Sequence, residues 1–548
     1  MSAIQAQGGG RASKRNVNQT ASASASTAVP APWVRPADWI ALPDVTGLQR
    51  FVGIHRIDPE ANFVALTAAG AYTVDWGDGT TTNHATGTTA QRQYDYSTIS
   101  SAGESTLGYR HVLIQVYPQS GQNLTSLNLQ VRHNQSGISA YATGWLDIAI
   151  NSSNLTSLTI SSSTLGHPYL QQVAIGQHAI TNATSLFAWC PALQSVPLFN
   201  TANITNMSNM FQSCSSLQSV PFFNTASCTN MSAMFGSCRR LLSVPSFSTA
   251  AATNMSSMFT NCMSLQSAPF MNTSAATNMS SMFNNCVSLQ SVPHYNTAAC
   301  TNMQSMLSGC YSLLTVPPFN TAACTNMSSM FFASSALTTV PFFNTANVTN
   351  MAGMFNQCHS LVSVPLFSTA AVTDMSNMFR LCYSLTTVPL FSTAAAQNTS
   401  SMFSGCTALT SVPQFNLAAC TNANNMFVGC TALATVPLFN LSACTNMTAL
   451  FSGCTALASV PALVTSAVTS GNFATMFATC TALSSAPLSG TNQSISYSGC
   501  KLSGTALNAI YTGLSSSGAG KTITVTGNYG TATHTTSIAT AKGWTVTV

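Results

Sequence analysis

The sequence predicts a repeat solenoid, mainly β with one short helix or 3-10 segment per coil, preceded by a β-sandwich. The main observation is a proline that recurs every 24 residues through twelve consecutive units. A fixed period of this length is typical of solenoids, in which each unit buries its apolar face only against its neighbours. A second observation precedes the repeats, where a strand of alternating polarity runs into a Gly/Asp turn at Tyr72–Thr80. The prolines are Pro197, Pro221, Pro245, Pro269, Pro293, Pro317, Pro341, Pro365, Pro389, Pro413, Pro437 and Pro461.

Residues 1–32 are rich in Ala, Ser and Gly, and their charged side chains are Arg11, Lys14 and Arg15. Such a composition cannot form a core, so we expect a flexible N-terminal anchor. The segment has no apolar stretch of the kind found in secretory signals, and no cysteine for a lipid anchor lies near its start. Export by the usual route is therefore not expected.

Residues 33–120 are predicted to form the sandwich, with a further strand at His111–Tyr117. The residues Trp76–Thr80, followed by Tyr94 and Tyr96, resemble the WGDGT motif of PKD-type β-sandwiches. This resemblance implies an immunoglobulin-like module, which in extracellular and virion proteins serves as a spacer or an adhesion unit.

The segment 121–180 contains leucine-spaced units of irregular length, at Asn123–Leu129 and Asn154–Ile160. We expect these units to form atypical capping coils that join the sandwich to the solenoid. Caps are needed because an open solenoid end exposes its core. The regular repeat then occupies a solenoid from residue 181 to residue 500.

Residues 501–548 are predicted to form a separate α/β cap at the other end. Its expected elements are a helix near Ala506–Leu514, a strand at Thr522–Val525 and a last strand at Trp544–Val548.

Within one coil, Met207, Met210, Phe211 and Cys214 stand at positions i, i+3, i+4 and i+7, which predicts the apolar stripe of a short helix. Asn206 precedes this stripe at a favoured N-cap position. The following apolar positions and the proline are expected to lead into a turn or strand edge, since proline lacks an N–H donor.

The repeated pattern Met-Phe-x-x-Cys-x-x-Leu-x-x-Val-Pro resembles the BspA-type leucine-rich repeats, especially the branch with Thr-Asn-Met-Ser-x-Met-Phe. The resemblance covers the whole segment 181–500 and implies a stack of β-solenoid type. Members of this family are largely cell-surface adhesion proteins, and some are phage virion proteins. The sequence lacks the export signal or lipobox of the surface members, which favours the virion interpretation.

Eleven of the eighteen cysteines occupy one slot of the repeat, from Cys190 to Cys454, and Ser334 fills that slot in the remaining coil. A second column alternates between Cys, Ala, Val and Ile, which is the behaviour of a small core hydrophobe. The alternatives are a disulfide ladder, for which parallel Cβ vectors give poor geometry, and a metal site, for which no Cys-x-x-Cys pair exists. We expect free buried thiols and no metal.

Catalysis is not expected, and the sequence indicates no catalytic or cofactor-binding residue. Asp374 is the one carboxylate of the repeats, so paired-acid chemistry has no second group there. Asp75, Asp78 and Asp95 could bind Ca²⁺, but stabilisation of the turn around the WGDGT motif is the favoured role.

Charged residues make up 5% of the chain, which argues against a nucleic-acid partner because no basic stripe could neutralise phosphates. No run of 18 or more apolar residues exists, so no membrane insertion is expected. A nearly neutral surface does little to keep a protein monomeric, and we expect a homo-oligomer or another assembly.

Functional residues are expected where the repeat departs from its own pattern, because the constant columns are core. Bulky, aromatic and charged side chains interrupt the exposed slots of the middle coils and are typical of recognition surfaces. The alternative for each of them is relaxed selection at an exposed slot. The candidate partner-binding residues are Arg239, Arg240, His294, Tyr311, His359, Arg380 and Tyr383.

The function predicted from the sequence is a non-enzymatic virion structural protein, a tail fibre or head appendage. Its N-terminus would bind other virion proteins, and its solenoid would bind a host-surface protein or glycan. The alternative is a bacterial cell-surface adhesin of the BspA-like type. A depolymerase is disfavoured because carboxylates are nearly absent from the repeats.

Overall fold

The computed structural model describes residues 33–100, 104–134, 139–469 and 473–548. The chain divides into two compact units, Met1–Val34 and Arg35–Val548, and all elements below belong to the second. The expected N-terminal anchor, residues 1–32, lies outside the described residues.

Two β-sheets that share one core form the N-terminal part of the second unit. The six-stranded sheet has the order β12-β10-β1-β6-β3-β4, and the four-stranded sheet has the order β11-β7-β2-β5. A small hairpin, β8–β9, lies beside them. The strands are β1 Arg50–Ile57, β2 Phe63–Ala69, β3 Tyr72–Asp75, β4 Thr81–His84, β5 Thr89–Gln93, β6 Arg110–Pro118, β7 Ser126–Asn128, β8 Arg132–His133, β9 Ala140–Tyr141, β10 Trp145–Asn151, β11 Ser157–Thr159 and β12 Gln172–Ile175.

The sandwich and the capping coils share both sheets. Strand β10 pairs antiparallel with β1, and β7 pairs antiparallel with β2, so the expected boundary at residue 120 lies inside continuous sheets. The next pairs, β7–β11 and β10–β12, are parallel, as in a stack of coils. The solenoid therefore starts on a hydrogen-bonded template, and the transition from antiparallel to parallel pairing marks where stacking begins.

The regular coils contain turns where the sequence predicts a short helix, and the helix prediction is wrong for the described residues 181–460. In the example coil, the N–H groups of Met210, Gln212 and Cys214 bond to carbonyls three residues back. The N–H groups of Phe211 and Ser213 bond instead to the next coil, as Phe211 does to the carbonyl of Met234 at 2.8 Å. Because alternate amides are used between coils, an i→i−4 helix cannot form.

Left-handed backbone at two positions per coil maintains this series of turns. Asn209 and Ser213 have φ of 57° and 63°. The second slot is glycine at Gly309, Gly405 and Gly429, as the left-handed region favours. The apolar spacing of i, i+3, i+4 and i+7 therefore arises from turns four residues apart.

Asn206 begins the series of turns in its own coil, although no helix follows for it to cap. Its Oδ1 accepts a hydrogen bond of 3.0 Å from the N–H of Ser208, which makes an Asx turn. The equivalent residues form a ladder of single parallel bridges from Asn182 to Asn446, with Asp374 included. Between β12 and residue 460, the β-structure of the described coils consists of this ladder and of two further single bridges, which begin at Ser267 and at Thr435.

The coils diverge toward the proline side. The rings of Phe211 and Phe235 are 5.6 Å apart, whereas Phe223 and Phe247, in the same two coils, are 6.2 Å apart. A pure translation would give equal spacings, so neighbouring coils are also rotated. Buried threonines bridge the wider side, as Thr225 Oγ1 does by donating to the carbonyl of Ser248 at 2.6 Å.

The C-terminal end returns to regular secondary structure, in the segment where an α/β cap is predicted. A helix begins after Ser503, whose hydroxyl accepts from the N–H of Ala506, and a three-stranded parallel sheet packs beside it. No described helix has the length and apolar character of a membrane span. The elements are β13 Leu463–Val464, β14 Leu488–Ser489, β15 Ile495–Ser496, α1 Gly504–Gly513, β16 Thr522–Thr524, α2 Ser537–Thr540 and β17 Thr545–Thr547.

Candidate binding surfaces of the solenoid

The slot after the cysteine column points outward in every coil and forms the first candidate surface. It holds Arg239, Tyr311, His359 and Tyr383, which we call the outer column. Tyr311 and Tyr383 are 50% and 43% exposed although each has a large apolar ring. The rings of His359 and Tyr383, in adjacent coils, stack with centroids 4.8 Å apart.

The other three predicted residues lie in other columns. Arg240 occupies the next exposed slot after Arg239, whereas Arg380 lies two residues before its cysteine and is partly buried. His294 follows its proline and is exposed on a different stretch of the coil. The structure therefore brings together His359 and Tyr383, places Arg239 and Tyr311 on the same column, and separates His294 from that column.

A second exposed surface, which the sequence reasoning missed, follows the prolines. The residue after each proline is a large apolar side chain in seven coils, with exposures from 52% to 68%. The signal was present, because the next residue along is the core phenylalanine and adjacent residues of an extended segment point to opposite sides. We call this surface the apolar ridge: Leu198, Phe222, Phe270, Phe342, Leu366, Leu390 and Leu438.

The cysteine columns belong to the core, and all eighteen cysteines are free and buried. In the main column each thiol from Cys214 onward donates to a phenylalanine carbonyl of the preceding coil, as Cys214 does to Phe187 at 3.0 Å. Ser334 makes the same bond to the carbonyl of Leu307 at 2.8 Å. Burial raises the pKa of Cys286 to about 12, which removes the nucleophilic thiolate at neutral pH.

The carboxylates around the WGDGT motif hold their own turns. Asp75 accepts from the N–H of Gly77, and Asp95 accepts from the N–H and hydroxyl of Ser97. Asp78 accepts from Thr80 and forms an ion pair of 2.6 Å with Arg92. The described residues contain no group of three or more His, Cys, Asp or Glu that could hold a metal ion. These contacts support the turn-stabilising role.

The repeat region matches a protein-family model described as "Mycoplasma protein of unknown function, DUF285". Its five overlapping matches, residues 181–291, 243–341, 264–364, 301–413 and 334–438, span slightly less than half of the chain. No curated protein matches the chain.

Among solved structures, a leucine-rich repeat protein from Bacteroides ovatus has 14% sequence identity and a TM-score of 0.32, with 69% of this chain and 91% of that chain covered. A leucine-rich repeat protein from Eubacterium ventriosum has 14% identity and a TM-score of 0.25, with 63% and 89% covered. TM-scores this low carry no functional argument. Residues 181–438 match the DUF285 model, and their repeat resembles the BspA-type leucine-rich repeats.

Proposed function

We propose that the protein is a non-catalytic, adhesin-type binding protein whose solenoid presents the outer column to a receptor or glycan on a host surface. The observation that carries this proposal is the stacked pair of partly buried His359 and exposed Tyr383 on the column that also holds Tyr311 and Arg239. Exposed aromatic rings and arginine are the side chains that dominate binding energies at protein interfaces.

The core chemistry supports a binding role over a catalytic one. Asp374, the carboxylate of the repeats, accepts a hydrogen bond of 2.9 Å from the N–H of Ser376 and thereby maintains an Asx turn. The thiols of the main column are held against carbonyl oxygens inside the core. The polar groups that remain on the outside are suited to recognition.

The likeness to DUF285 favours the adhesin interpretation over a virion structural protein. Carriage on a virion, with attachment through the N-terminal segment, stays a prediction from the sequence. The same holds for assembly into a homo-oligomer.

We also propose that the N-terminal sheets act as a PKD-like spacer. The support is local: Tyr94 donates its hydroxyl to the carbonyl of Trp76 at 2.9 Å, and the indole of Trp76 donates to Thr82 at 2.8 Å. These two bonds tie the WGDGT loop to the strands on either side of it.

The test of the outer column is a full-length double variant, Tyr311→Ala with Tyr383→Ala, measured for retention on host cells. We expect retention to fall by about tenfold or more, because central aromatic residues commonly contribute 2 kcal/mol or more. Tyr529→Ala, at a tyrosine that is 74% exposed in the C-terminal cap, is the matched control and should bind as the parent protein does. Unchanged retention of the double variant would remove the outer column from the proposal.

A further inference from the structure

The apolar ridge is interrupted near its C-terminal end, and the interruption forms a cavity. Gln414 and Ala462 replace the large apolar residue on either side of Leu438. The cavity between them has a volume of about 460 Å³, which lies within the usual range for small-ligand sites. Its walls include Gln414, Asn416, Leu438, Asn440, Ala462 and Val464.

Two side-chain amides supply hydrogen-bond donors in this cavity. The Oδ1 atoms of Asn416 and Asn440 accept from the N–H groups of Ala418 and Ser442, each at 3.2 Å. Their Oδ1 atoms are therefore engaged in turns, which leaves the Nδ2 groups of both exposed side chains to face a ligand. Successive coils place these donors in register, one coil apart.

The carbonyl of Asn440, a residue of the cavity wall, lacks a hydrogen bond that its counterparts have, because of a change in the threonine ladder. In earlier coils a buried threonine donates to the carbonyl 23 residues later, and Thr393 makes the last such bond, to Asn416 at 2.7 Å. The next slot is Leu417, which has no hydroxyl for the carbonyl of Asn440. Among the described residues no donor contacts that carbonyl oxygen. The carbonyl of Asn440 thus has no donor among the described residues, whereas the equivalent carbonyls of the preceding coils accept a hydrogen bond from a threonine.

The surroundings are free of charge. No Asp, Glu, Lys or Arg occurs between Arg380 and Lys501, a stretch that includes every wall of the cavity. An ionic ligand would lose its hydration without gaining a countercharge, so the site selects against it. Leu438 and Val464, 52% and 41% exposed, add apolar walls.

We propose that this cavity binds a neutral saccharide, and the proposal rests on the adhesin-type function given above. A sugar offers hydroxyl groups that can accept from the two amide donors. Its C–H face fits the side chains of Leu438 and Val464, and it carries no charge. A protein partner is disfavoured because both amides belong to the wall of one small cavity.

The test uses the full-length protein and measures its binding to dextran, laminarin and mannan, with alginate as the acidic polysaccharide. We expect binding to at least one neutral polysaccharide and none to alginate. Ala462→Phe, which fills the cavity with the side chain that other coils carry in this slot, should weaken the binding by at least about tenfold. Ser246→Phe makes the same change in the same slot of a distant coil and should bind as the parent does.

Three results would overturn the proposal: no neutral polysaccharide is bound, alginate is bound equally well, or Ala462→Phe binds as tightly as Ser246→Phe. Retention on host cells distinguishes this failure from failure of the proposed function. Cells that retain the protein after enzymatic removal of their glycans would refute the saccharide site and leave the adhesin-type function standing. If untreated cells do not retain the protein, both the saccharide site and the adhesin-type function are refuted.

Discussion

At the scale of single residues, the main cysteine column is a hydrogen-bond device inside the core. From Cys214 onward, each thiol of the column reaches the carbonyl of a phenylalanine in the coil before it, as Cys358 does to Phe331 at 3.0 Å. That carbonyl also accepts from the N–H of Ser334 at 3.0 Å, so the thiol adds a second hydrogen bond, and such a bond contributes about 0.5–1.5 kcal/mol. The need for a small side chain with a donor explains why serine, at Ser334, is the one residue that replaces cysteine in this column.

Cys358→Ser and Cys358→Ala separate the donor from the volume of the side chain, because serine and alanine are close in size. We expect the serine variant to be more stable than the alanine variant by about 0.5–1.5 kcal/mol, since serine keeps the bond to Phe331. Urea unfolding followed by far-UV circular dichroism measures the difference. Equal midpoints for the two variants would show that the column is selected for packing alone.

At the scale of elements, the series of turns shows why periodicity alone misassigned the coil. Apolar residues at i, i+3, i+4 and i+7 are typical of a helix, but turns four residues apart place the same side chains on one face. The distinguishing signal is the slot before each cysteine. This slot holds Gly, Asn or Ser in eight of the eleven coils that have the cysteine, as at Gly309 and Asn285. Those residue types tolerate left-handed backbone, and a helix interior disfavours glycine.

Leu381 is one of three exceptions in that slot, with Trp189 and Gln357, and its φ is 59°. An L-residue in the left-handed region costs about 1–2 kcal/mol, whereas glycine adopts it freely. Leu381→Gly should therefore be more stable than Leu381→Ala by about 1 kcal/mol, since the alanine variant removes the side chain but keeps the strain. The comparison is made by urea unfolding, and an alanine variant that equals or exceeds the glycine variant would contradict the left-handed assignment.

At the scale of the whole molecule, the titratable groups are divided between two regions. Nine of the ten acidic residues precede the repeats, and between Thr181 and Cys500 the charged residues are Arg239, Arg240, Asp374 and Arg380. The N-terminal sheets also enclose imidazoles. Burial lowers the pKa of His55 to about 3 and that of His167 to about 4, and both rings are hydrogen-bonded to backbone groups.

These histidines predict that acid weakens the N-terminal sheets and spares the solenoid. Between about pH 6.5 and pH 5 the unfolded chain binds protons at His55 and His167 while the folded chain does not. The free energy of unfolding therefore falls with pH by roughly 1 kcal/mol per unit for each group. His294 and His359 lie in the solenoid, outside the N-terminal sheets.

The measurement is urea unfolding at pH 7, 6 and 5, followed by circular dichroism and by tryptophan fluorescence. The fluorescence is recorded in a Trp189→Phe, Trp544→Phe background, in which the remaining tryptophans, Trp33, Trp39, Trp76 and Trp145, precede the solenoid. His55→Asn should reduce the pH dependence of the fluorescence transition. The pair His294→Asn and His359→Asn is the control and should leave it unchanged. A fluorescence transition that is independent of pH in the parent protein would contradict the neutral, buried state of these histidines.

The sequence by itself determined the solenoid, its 24-residue period, its core columns, the free thiols and the C-terminal cap. The period and the core columns depend on residue types that are repeated at one spacing. Repetition strengthens a structural signal that a single segment would give only weakly. It also identified the outer column, because Tyr311, His359 and Tyr383 interrupt a constant pattern.

Only the tertiary structure decided which hydrogen bonds the backbone makes. Alternate amides of Met207–Ser213 bond across coils, and that choice depends on a neighbour 23 residues away. The same dependence on a neighbouring coil explains the carbonyl of Asn440 beside the cavity. This carbonyl lacks a threonine donor because the preceding coil has a leucine in that slot. Local sequence specifies which side chains are apolar, whereas contacts between coils decide which polar groups are satisfied and which remain for a ligand.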